Sequence, residues 1–197
     1  MPADQTDRQN GGALILAAGF GRRFGSDKRR YRLPDGRPLL LATVSRYLAS
    51  FPRICVVLRR EDDDLAAEAV RLDPGIEIAV AERAHLGMGH SLAAGIHAVT
   101  GRWMWAAVAL GDMPFVRNDT LDRLIAAFSS APGEAILQPW HHERPGHPVF
   151  FAGAYFSELS RLTGDAGART VLTAHPGSIV QVDVDDPGVL EDLDRPL

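Results

Sequence analysis

Short apolar segments alternate with segments of helical periodicity along most of the chain. Five apolar segments are continuous rather than alternating, which is typical of strands buried on both faces. These segments are residues 13–17, 53–58, 76–80, 103–110 and 134–138. The helical patterns between them are residues 39–50, 62–72, 91–99 and 118–130. The alternation predicts a mostly parallel sheet with crossover connections and helices on both faces. Asp62, and either Asn118 or Asp119, are placed to cap the second and fourth helices.

The pattern changes after residue 138, where prolines and a glycine interrupt the chain. The elements predicted beyond this point are a strand at 148–153, short helices near 154–162 and 166–174, and a strand at 178–184. We therefore predict an α/β fold, with one three-layer domain over residues 12–197. Its sheet is mostly parallel and Rossmann-like, with one antiparallel strand. Residues 1–11 are predicted to be a flexible tail.

Composition narrows the class of protein. The net charge of −4 over 197 residues argues against a general nucleic-acid-binding protein. No apolar run approaches the ~20 residues that a membrane span needs, and the first ten residues lack the apolar core of a secretory signal. The single cysteine, Cys55, lies in an apolar run and is expected in a core strand. We expect a cytoplasmic monomer without nucleic-acid or membrane partners.

Charge is unevenly distributed along the chain. Residues 19–32 hold six cations and a single anion, whereas residues 181–197 hold six carboxylates and one arginine. A basic segment near the start and an acidic segment at the end indicate an anionic ligand together with a metal ion.

The basic segment follows the first predicted strand, where open α/β proteins bind ligands. Gly19, Gly21 and Gly25 do not have the spacing of a dinucleotide-binding G-x-G-x-x-G loop, and Lys28 is not placed as in a GxxxxGK[ST] loop. Glycines still let backbone N–H groups approach an anion, and Arg23 and Lys28 can neutralise phosphates. The segment therefore predicts a phosphate-binding loop, with a solvated basic turn as the alternative.

The letters of this loop, L-A-A-G-x-G-x-R-x-G-x-x-K, resemble the signature of nucleotidyltransferases that transfer a nucleoside monophosphate to a phosphorylated acceptor. The resemblance implies that Arg23 and Lys28 contact the phosphates and act in catalysis. It also assigns part of the nucleotide site to Leu16, Ala17, Ala18, Gly19 and Gly21. Guanylyl-transferring relatives usually have LAGG here, so the Ala18 methyl is expected to crowd a purine and to favour cytidine.

Two further segments match the same signature. In ALGDMP (109–114), Asp112 is expected at the carboxyl end of a central strand, where a carboxylate suits Mg²⁺ and a turn or cap role is the alternative. The resemblance implies that Asp112 binds the metal and acts in catalysis, and that Gly111 belongs to the nucleotide site. In the segment 84–99, Ser91 is expected to begin and cap a helix, and the resemblance places Gly89 and Ser91 around the base and ribose. The histidines at 85–97 and 141–147 lack the spacing of a zinc site.

GHPV (146–149) and GDAGAR (164–169) resemble one branch of this group, the molybdenum cofactor cytidylyltransferases (MobA/MocA-like nucleotidyltransferases). From its position between glycine and proline, the histidine of GHPV is expected to hydrogen-bond substrate or backbone. Arg169 suits an acceptor phosphate or a pterin carbonyl, with a cation on a helix surface as the alternative. The branch implies that the pterin substrate is faced by Gly146, His147, Pro148, Asp165 and Arg169.

The acidic end of the chain resembles the D-x-D-T-P close of the family, filled here by residues 192–196 with Arg195 where threonine is usual. The resemblance implies that Asp194 is a second metal ligand. Asp185 and Asp186 are nearby alternatives.

The resemblance covers about residues 12–196 and implies a Mg²⁺-dependent transfer of CMP from CTP to the terminal phosphate of molybdopterin, with release of pyrophosphate. It adds a molybdenum hydroxylase as a client. One alternative is the same chemistry with GTP or another phosphorylated acceptor. Another is a carrier or insertion chaperone that delivers the molybdenum cofactor to molybdenum hydroxylases. A third is an oxidoreductase, although the glycine spacing argues against a dinucleotide site.

Overall fold

The computed structural model describes residues 10–20 and 27–194. Its strands are β1 (Gly11–Leu16), β2 (Ile54–Leu58), β3 (Glu77–Val80), β4 (Trp105–Leu110), β5 (Ile136–His141), β6 (Arg144–Pro145), β7 (Val149–Ala152) and β8 (Ile179–Asp183). Its α-helices are α1 (Leu39–Leu48), α2 (Asp63–Leu72), α3 (Met88–Val99), α4 (Asn118–Ser130), α5 (Phe156–Leu159) and α6 (Arg169–Ala174). Most of the predicted tail, residues 1–9, lies outside the described residues.

The described strands form one mixed sheet in the order β3-β2-β1-β4-β7-β5-β6, with β8 paired to β5. Strands β1 to β4 run parallel to one another, and β8 runs parallel to β5. Strand β7 is antiparallel to both β4 and β5. The predicted α/β class, with a mostly parallel sheet and an inserted antiparallel strand, is therefore confirmed. The sequence patterns did not predict β6, a two-residue strand in a hairpin with β5.

Helices cover both faces of the sheet because its central strands are apolar on both faces. Every residue of β1 and β2 is buried. On one face, α1, α2 and α4 pack against the sheet through residues such as Leu40 and Leu121. On the other face, α3, α5 and α6 contribute residues such as Leu92 and Val171. Cys55 is buried in β2, as expected. None of the helices in the described part of the chain combines the length and apolarity required to span a membrane.

The predicted helix caps are wrong in detail. Helix α3 begins before Ser91, which lies inside the helix, and Gly87 occupies the N-cap position. Asp62 does precede α2 but makes no capping hydrogen bond, because its carboxylate binds arginine side chains instead. Helix α4 begins at Asn118 itself, with Arg117 before it and no side-chain cap. Of the polar residues predicted to cap these helices, Ser91 therefore lies one turn inside its helix, and Asp62 and Asn118 make other contacts.

Candidate active site

A cavity of about 420 Å³ opens at the carboxyl ends of β1 and β4. The sheet order places β2 and β4 on opposite sides of β1, so the chain leaves β1 and β4 in different directions and a crevice forms between them. We call it the edge cavity. Its lining comes from the residues after β1, the turn before α3 and the end of β4, and it includes Leu16–Phe20, Ala84–Met88, Leu110–Asp112, Lys28, Arg29, Ser91 and Asp165.

Lys28 and two aspartates meet at one side of the edge cavity. Lys28 begins a single 3₁₀ turn, Lys28–Arg30, and its Nζ lies 2.5 Å from an oxygen of Asp112 and 3.4 Å from an oxygen of Asp194. The side chains of Lys28 and Asp112 are 17% and 20% exposed, whereas that of Asp194 is 50% exposed. The backbone N–H of Leu193 donates to the Asp112 carbonyl over 3.0 Å and so attaches the acidic end segment to the loop after β4. Three residues that are far apart in sequence therefore form one charged cluster.

This cluster holds more negative than positive charge, and the pKa values of its members shift accordingly. Burial works to lower the pKa of Lys28, but hydrogen bonds and charges from Asp112 and Asp194 outweigh it and raise that pKa. Burial also raises the pKa of Asp192, assisted by the negative charges of Asp194 and Asp112. Negative charge is thus concentrated around Lys28, in a place where carboxylate oxygens suit a hard divalent cation. Among residues 10–20 and 27–194, no three histidine, cysteine or carboxylate side chains are grouped as a self-sufficient metal site.

The alternatives to Asp194 are placed differently. Asp186 is 1% exposed, and its carboxylate accepts hydrogen bonds from the backbone N–H groups of Arg117, over 2.9 Å, and Gly188, over 3.0 Å. The first bond joins the segment after β8 to the start of α4, and the second caps the 3₁₀ turn Pro187–Val189 within that segment, so Asp186 has a structural role. Asp185 offers its carbonyl oxygen to the Arg117 guanidinium. Of these candidates, it is Asp194 that contacts Lys28.

The turn before α3 is locked to the predicted pterin-facing loop. Gly87 has φ of +119°, and a Cβ there would lie 2.4 Å from the carbonyl group of Gly164. The Gly89 N–H donates to the same carbonyl over 2.8 Å. This packing brings Asp165 to the edge cavity, which is also lined by residues predicted to bind the nucleotide. Arg169 is exposed at the start of α6 and does not line the cavity.

The GHP turn packs against the end segment. A Cβ at Gly146 would lie 2.5 Å from the Val189 carbonyl oxygen, which also accepts a 2.8 Å hydrogen bond from the His147 N–H. Burial lowers the pKa of His147, although a hydrogen bond with the Val108 backbone and the charges of Asp112 and Asp192 oppose this. The His147 Nδ1 atom is buried without a hydrogen-bond partner among the described residues.

The structure describes only part of the predicted opening loop. Gly21 and Arg23 are outside the described residues. The Ala18 side chain is only 1% exposed and packs in the core, and the residue also lines the edge cavity; its predicted preference for cytidine stays a prediction.

Part of the basic segment is already neutralised by carboxylates, which the sequence patterns did not predict. Arg29 is 4% exposed and binds Asp27 and Asp62, while Arg30 binds Asp27 and Asp64. The sequence feature that could have indicated this neutralisation is the charged run RREDDD (59–64), which follows β2 at the same edge of the sheet.

The fold and this cluster define an α/β protein with a nucleotide-sized cavity beside two carboxylates and a lysine. Residues 13–179 match the family described as the MobA-like NTP transferase domain. The chain belongs to this family, which confirms the MobA/MocA-like resemblance.

Individual relatives are similar to the chain over different spans. Nicotine blue oxidoreductase of Paenarthrobacter nicotinovorans is 31% identical over 193 residues, which cover 92% of this chain and 90% of that protein. The bifunctional protein GlmU of Agrobacterium fabrum (strain C58) is 31% identical over 135 residues, or 68% of this chain, but the match spans only 29% of GlmU.

Among solved structures, Rv0371c from Mycobacterium tuberculosis H37Rv superposes with a TM-score of 0.75 at 27% identity, covering 94% of this chain and 93% of that one. Rv0371c has also been solved in complex with manganese, and that structure gives a TM-score of 0.73 at 26% identity over 89% of this chain and 88% of that one.

Proposed function

We propose that this protein transfers CMP from CTP to the terminal phosphate of molybdopterin, releasing pyrophosphate. The observation that carries the proposal is the convergence of Asp112 and Asp194 on Lys28 at the wall of the edge cavity. Its support beyond that is membership of the MobA-like family and the GHPV and GDAGAR segments. The base and the acceptor rest on the resemblance, and the experiments below test them.

The chemistry needs charge control more than acid–base catalysis. An acceptor phosphate is already an anion and requires no general base, so the obstacle is repulsion between two polyphosphates. In the proposal, Lys28 and Arg23 bind the β- and γ-phosphates and stabilise the pyrophosphate that leaves. The backbone from Leu16 to Gly19 lines the cavity where the nucleotide is held. No covalent enzyme intermediate is needed, and Cys55 is buried away from the cavity.

The residues present fit a magnesium ion. Asp112 and Asp194 supply hard oxygen ligands within reach of one cation, Lys28, and two carboxylates plus phosphate oxygens are the usual set for Mg²⁺. When bound, the ion neutralises phosphate charge and orients the reacting groups. His147 and Asp192 stand close enough to the same cluster to interact with it electrostatically, which is consistent with the acceptor approaching from the GHP turn.

The first experiment is thermal unfolding with CTP, GTP, ATP, UTP and NADH, each with and without Mg²⁺. A ligand at 100 times its Kd stabilises the native state by about 2.7 kcal/mol, which raises the Tm of a domain of this size by roughly 5–10 °C. We expect a Mg²⁺-dependent shift that is largest for CTP. A larger shift with GTP would move the function to guanylyl transfer, and the absence of any triphosphate shift would contradict nucleotide binding. Pyrophosphate release on addition of molybdenum-loaded molybdopterin then tests the acceptor.

A second candidate function is an oxidoreductase, favoured by the similarity to nicotine blue oxidoreductase along 92% of the chain. It predicts a Tm shift with NADH or NADPH that does not need Mg²⁺. A molybdenum cofactor carrier remains distinguishable from both, because it would bind the cofactor stoichiometrically without turnover and would capture an apo-hydroxylase.

A further inference from the structure

We propose that Arg29 is a positioning residue that holds Ala17 and Asp27 together and thereby directs Lys28 toward Asp112. The inference rests on the proposed function for its ligand but not for its geometry. We call the group formed by Asp27, Arg29, Arg59 and Asp62 the loop clamp.

One guanidinium joins both ends of the loop. Arg29 Nη1 donates to the carbonyl oxygen of Ala17, directly after β1, over 2.8 Å. Its Nε and Nη2 donate to the two oxygens of Asp27, over 2.8 and 2.6 Å. Ala17 and Asp27 stand at the start and the end of the glycine-rich segment, so a single side chain fixes the distance between them.

The clamp is anchored to β2 through Asp62, which is 1% exposed. Asp62 accepts hydrogen bonds from both terminal nitrogens of Arg29, and also from the backbone N–H and the guanidinium of Arg59, each over 3.0 Å. The Arg59 guanidinium in turn lies 4.8 Å from the ring centre of Phe20, a residue of the loop. Two arginines and two aspartates balance in charge, which allows the group to be largely buried.

These contacts leave Arg29 unable to bind a ligand phosphate. All three of its guanidinium nitrogens are engaged with protein oxygens, and the residue is 4% exposed. Its contribution to the site is therefore indirect. Lys28 lies between Asp27 and Arg29 in the same 3₁₀ turn, and the Asp27 carboxylate also accepts from the Arg29 backbone N–H over 3.2 Å. With both neighbours fixed, Lys28 extends to the opposite side, where it meets Asp112.

The geometry requires arginine rather than lysine. Three separate acceptors are satisfied by a planar fork with five N–H donors, whereas an ammonium on a flexible stem cannot reach the same set. Arg29→Lys is therefore the informative variant, because it keeps the charge and removes the fork. Arg60→Lys is its matched control, because Arg60 makes a two-point ion pair with Glu82 outside the clamp and is 75% exposed.

Two measurements test the proposal. Amide hydrogen exchange of the ligand-free protein should be at least tenfold faster in Arg29→Lys at Ala17–Phe20 and Asp27–Tyr31, with β4 unchanged. Calorimetric titration in Mg²⁺ should show CTP affinity lowered about tenfold and CMP affinity changed less than threefold. Arg60→Lys should differ from the wild type in neither.

The outcomes separate the clamp from the proposed function. Unchanged exchange in the loop of Arg29→Lys overturns the clamp. Faster exchange with unchanged CTP affinity overturns the positioning of Lys28. If the wild-type protein binds no triphosphate, the proposed function fails, while the exchange experiment still decides the clamp. Should β4 also lose protection in Arg29→Lys, the same pair of measurements on Asp62→Asn, which keeps the side-chain size, gives the decision.

Discussion

Removing the Lys28 ammonium should strengthen divalent-metal binding in the absence of nucleotide. In the structure, Lys28 is the cation that contacts both Asp112 and Asp194. A metal ion that uses both carboxylates must displace it. Lys28→Met removes the charge while keeping an unbranched apolar side chain of comparable length, so the two aspartates become free for the metal.

The size of the effect follows from the two contacts. The 2.5 Å contact with Asp112 joins side chains that are each at most one-fifth exposed, and a charged hydrogen bond of this kind contributes about 1.5–3 kcal/mol. The 3.4 Å contact with Asp194 is half exposed and contributes at most about 0.5 kcal/mol. The total of about 1.5–3.5 kcal/mol corresponds to roughly 10- to 300-fold tighter metal binding, since about 1.4 kcal/mol is tenfold.

Mn²⁺ binding measured by electron paramagnetic resonance at fixed ionic strength provides the assay. Arg32→Met is the matched control, because Arg32 is exposed, donates to the Gly36 carbonyl and carries the same charge. Equal tightening in both variants would show only a general field effect. No tightening in Lys28→Met would refute the reasoning. The same variant should bind CTP more weakly, and that loss should exceed the loss for CMP, because the proposed contacts are with the β- and γ-phosphates.

Three further outcomes are expected. Asp112→Ala should abolish Mg²⁺-dependent pyrophosphate release while leaving the Tm within a few degrees, and retained activity would remove Asp112 from the metal site. Burial, with the Glu77 charge, raises the pKa of Cys55 to about 12, so native Cys55 should react with a disulfide reagent at pH 8 at least 100-fold more slowly than the unfolded chain. Because the thiol ionises at a lower pH in the unfolded chain, the free energy of unfolding should also fall as pH rises above about 9. If the wild type loses no more stability than Cys55→Ala over this pH range, the prediction is contradicted. Gly87→Ala should lower the free energy of unfolding by about 2–3 kcal/mol, since φ is +119° and Gly164 lies 2.4 Å from the new Cβ. The control Gly36→Ala, at φ +82° in open space, should lower it by about 1 kcal/mol. Equal losses of the two variants in urea unfolding would exclude the clash.

The sequence predicted the architecture well because burial on both faces leaves a strong signal. The continuous runs that became β1, β2 and β4 lie at the centre of the sheet, where no polar residue is tolerated. The hairpin between β5 and β6 left no such signal. Its turn residues, His142 and Glu143, have positive φ without being glycine, asparagine or aspartate, so turn chemistry did not reveal it.

The site, like the fold, could be predicted from the sequence only in part. The edge of the sheet at which Asp112 and Lys28 meet followed from strand order, and the structure brings Asp194 to them. The roles of the neighbouring cations did not follow from the sequence. Within the run KRR, nothing in the letters indicates that Arg29 faces inward while Lys28 faces the cavity, because that depends on Asp62, a residue 33 positions away.

The chemistry of the two cations explains why each stands where it does. Arginine binds fixed acceptors through a rigid fork, and Arg29 uses it to connect Ala17, Asp27 and Asp62 permanently. Lysine is a point charge on a flexible stem, so Lys28 is able to exchange one anionic partner for another without rearranging a planar group. In the structure that partner is a pair of carboxylates, and in the proposed complex it is a triphosphate. Two anchor points that must stay joined and a cation that must change partners therefore call for different residues at adjacent positions. Exchanging the two, as Lys28→Arg with Arg29→Lys, should impair both the connection between Ala17 and Asp27 and triphosphate binding, although the net charge is unchanged.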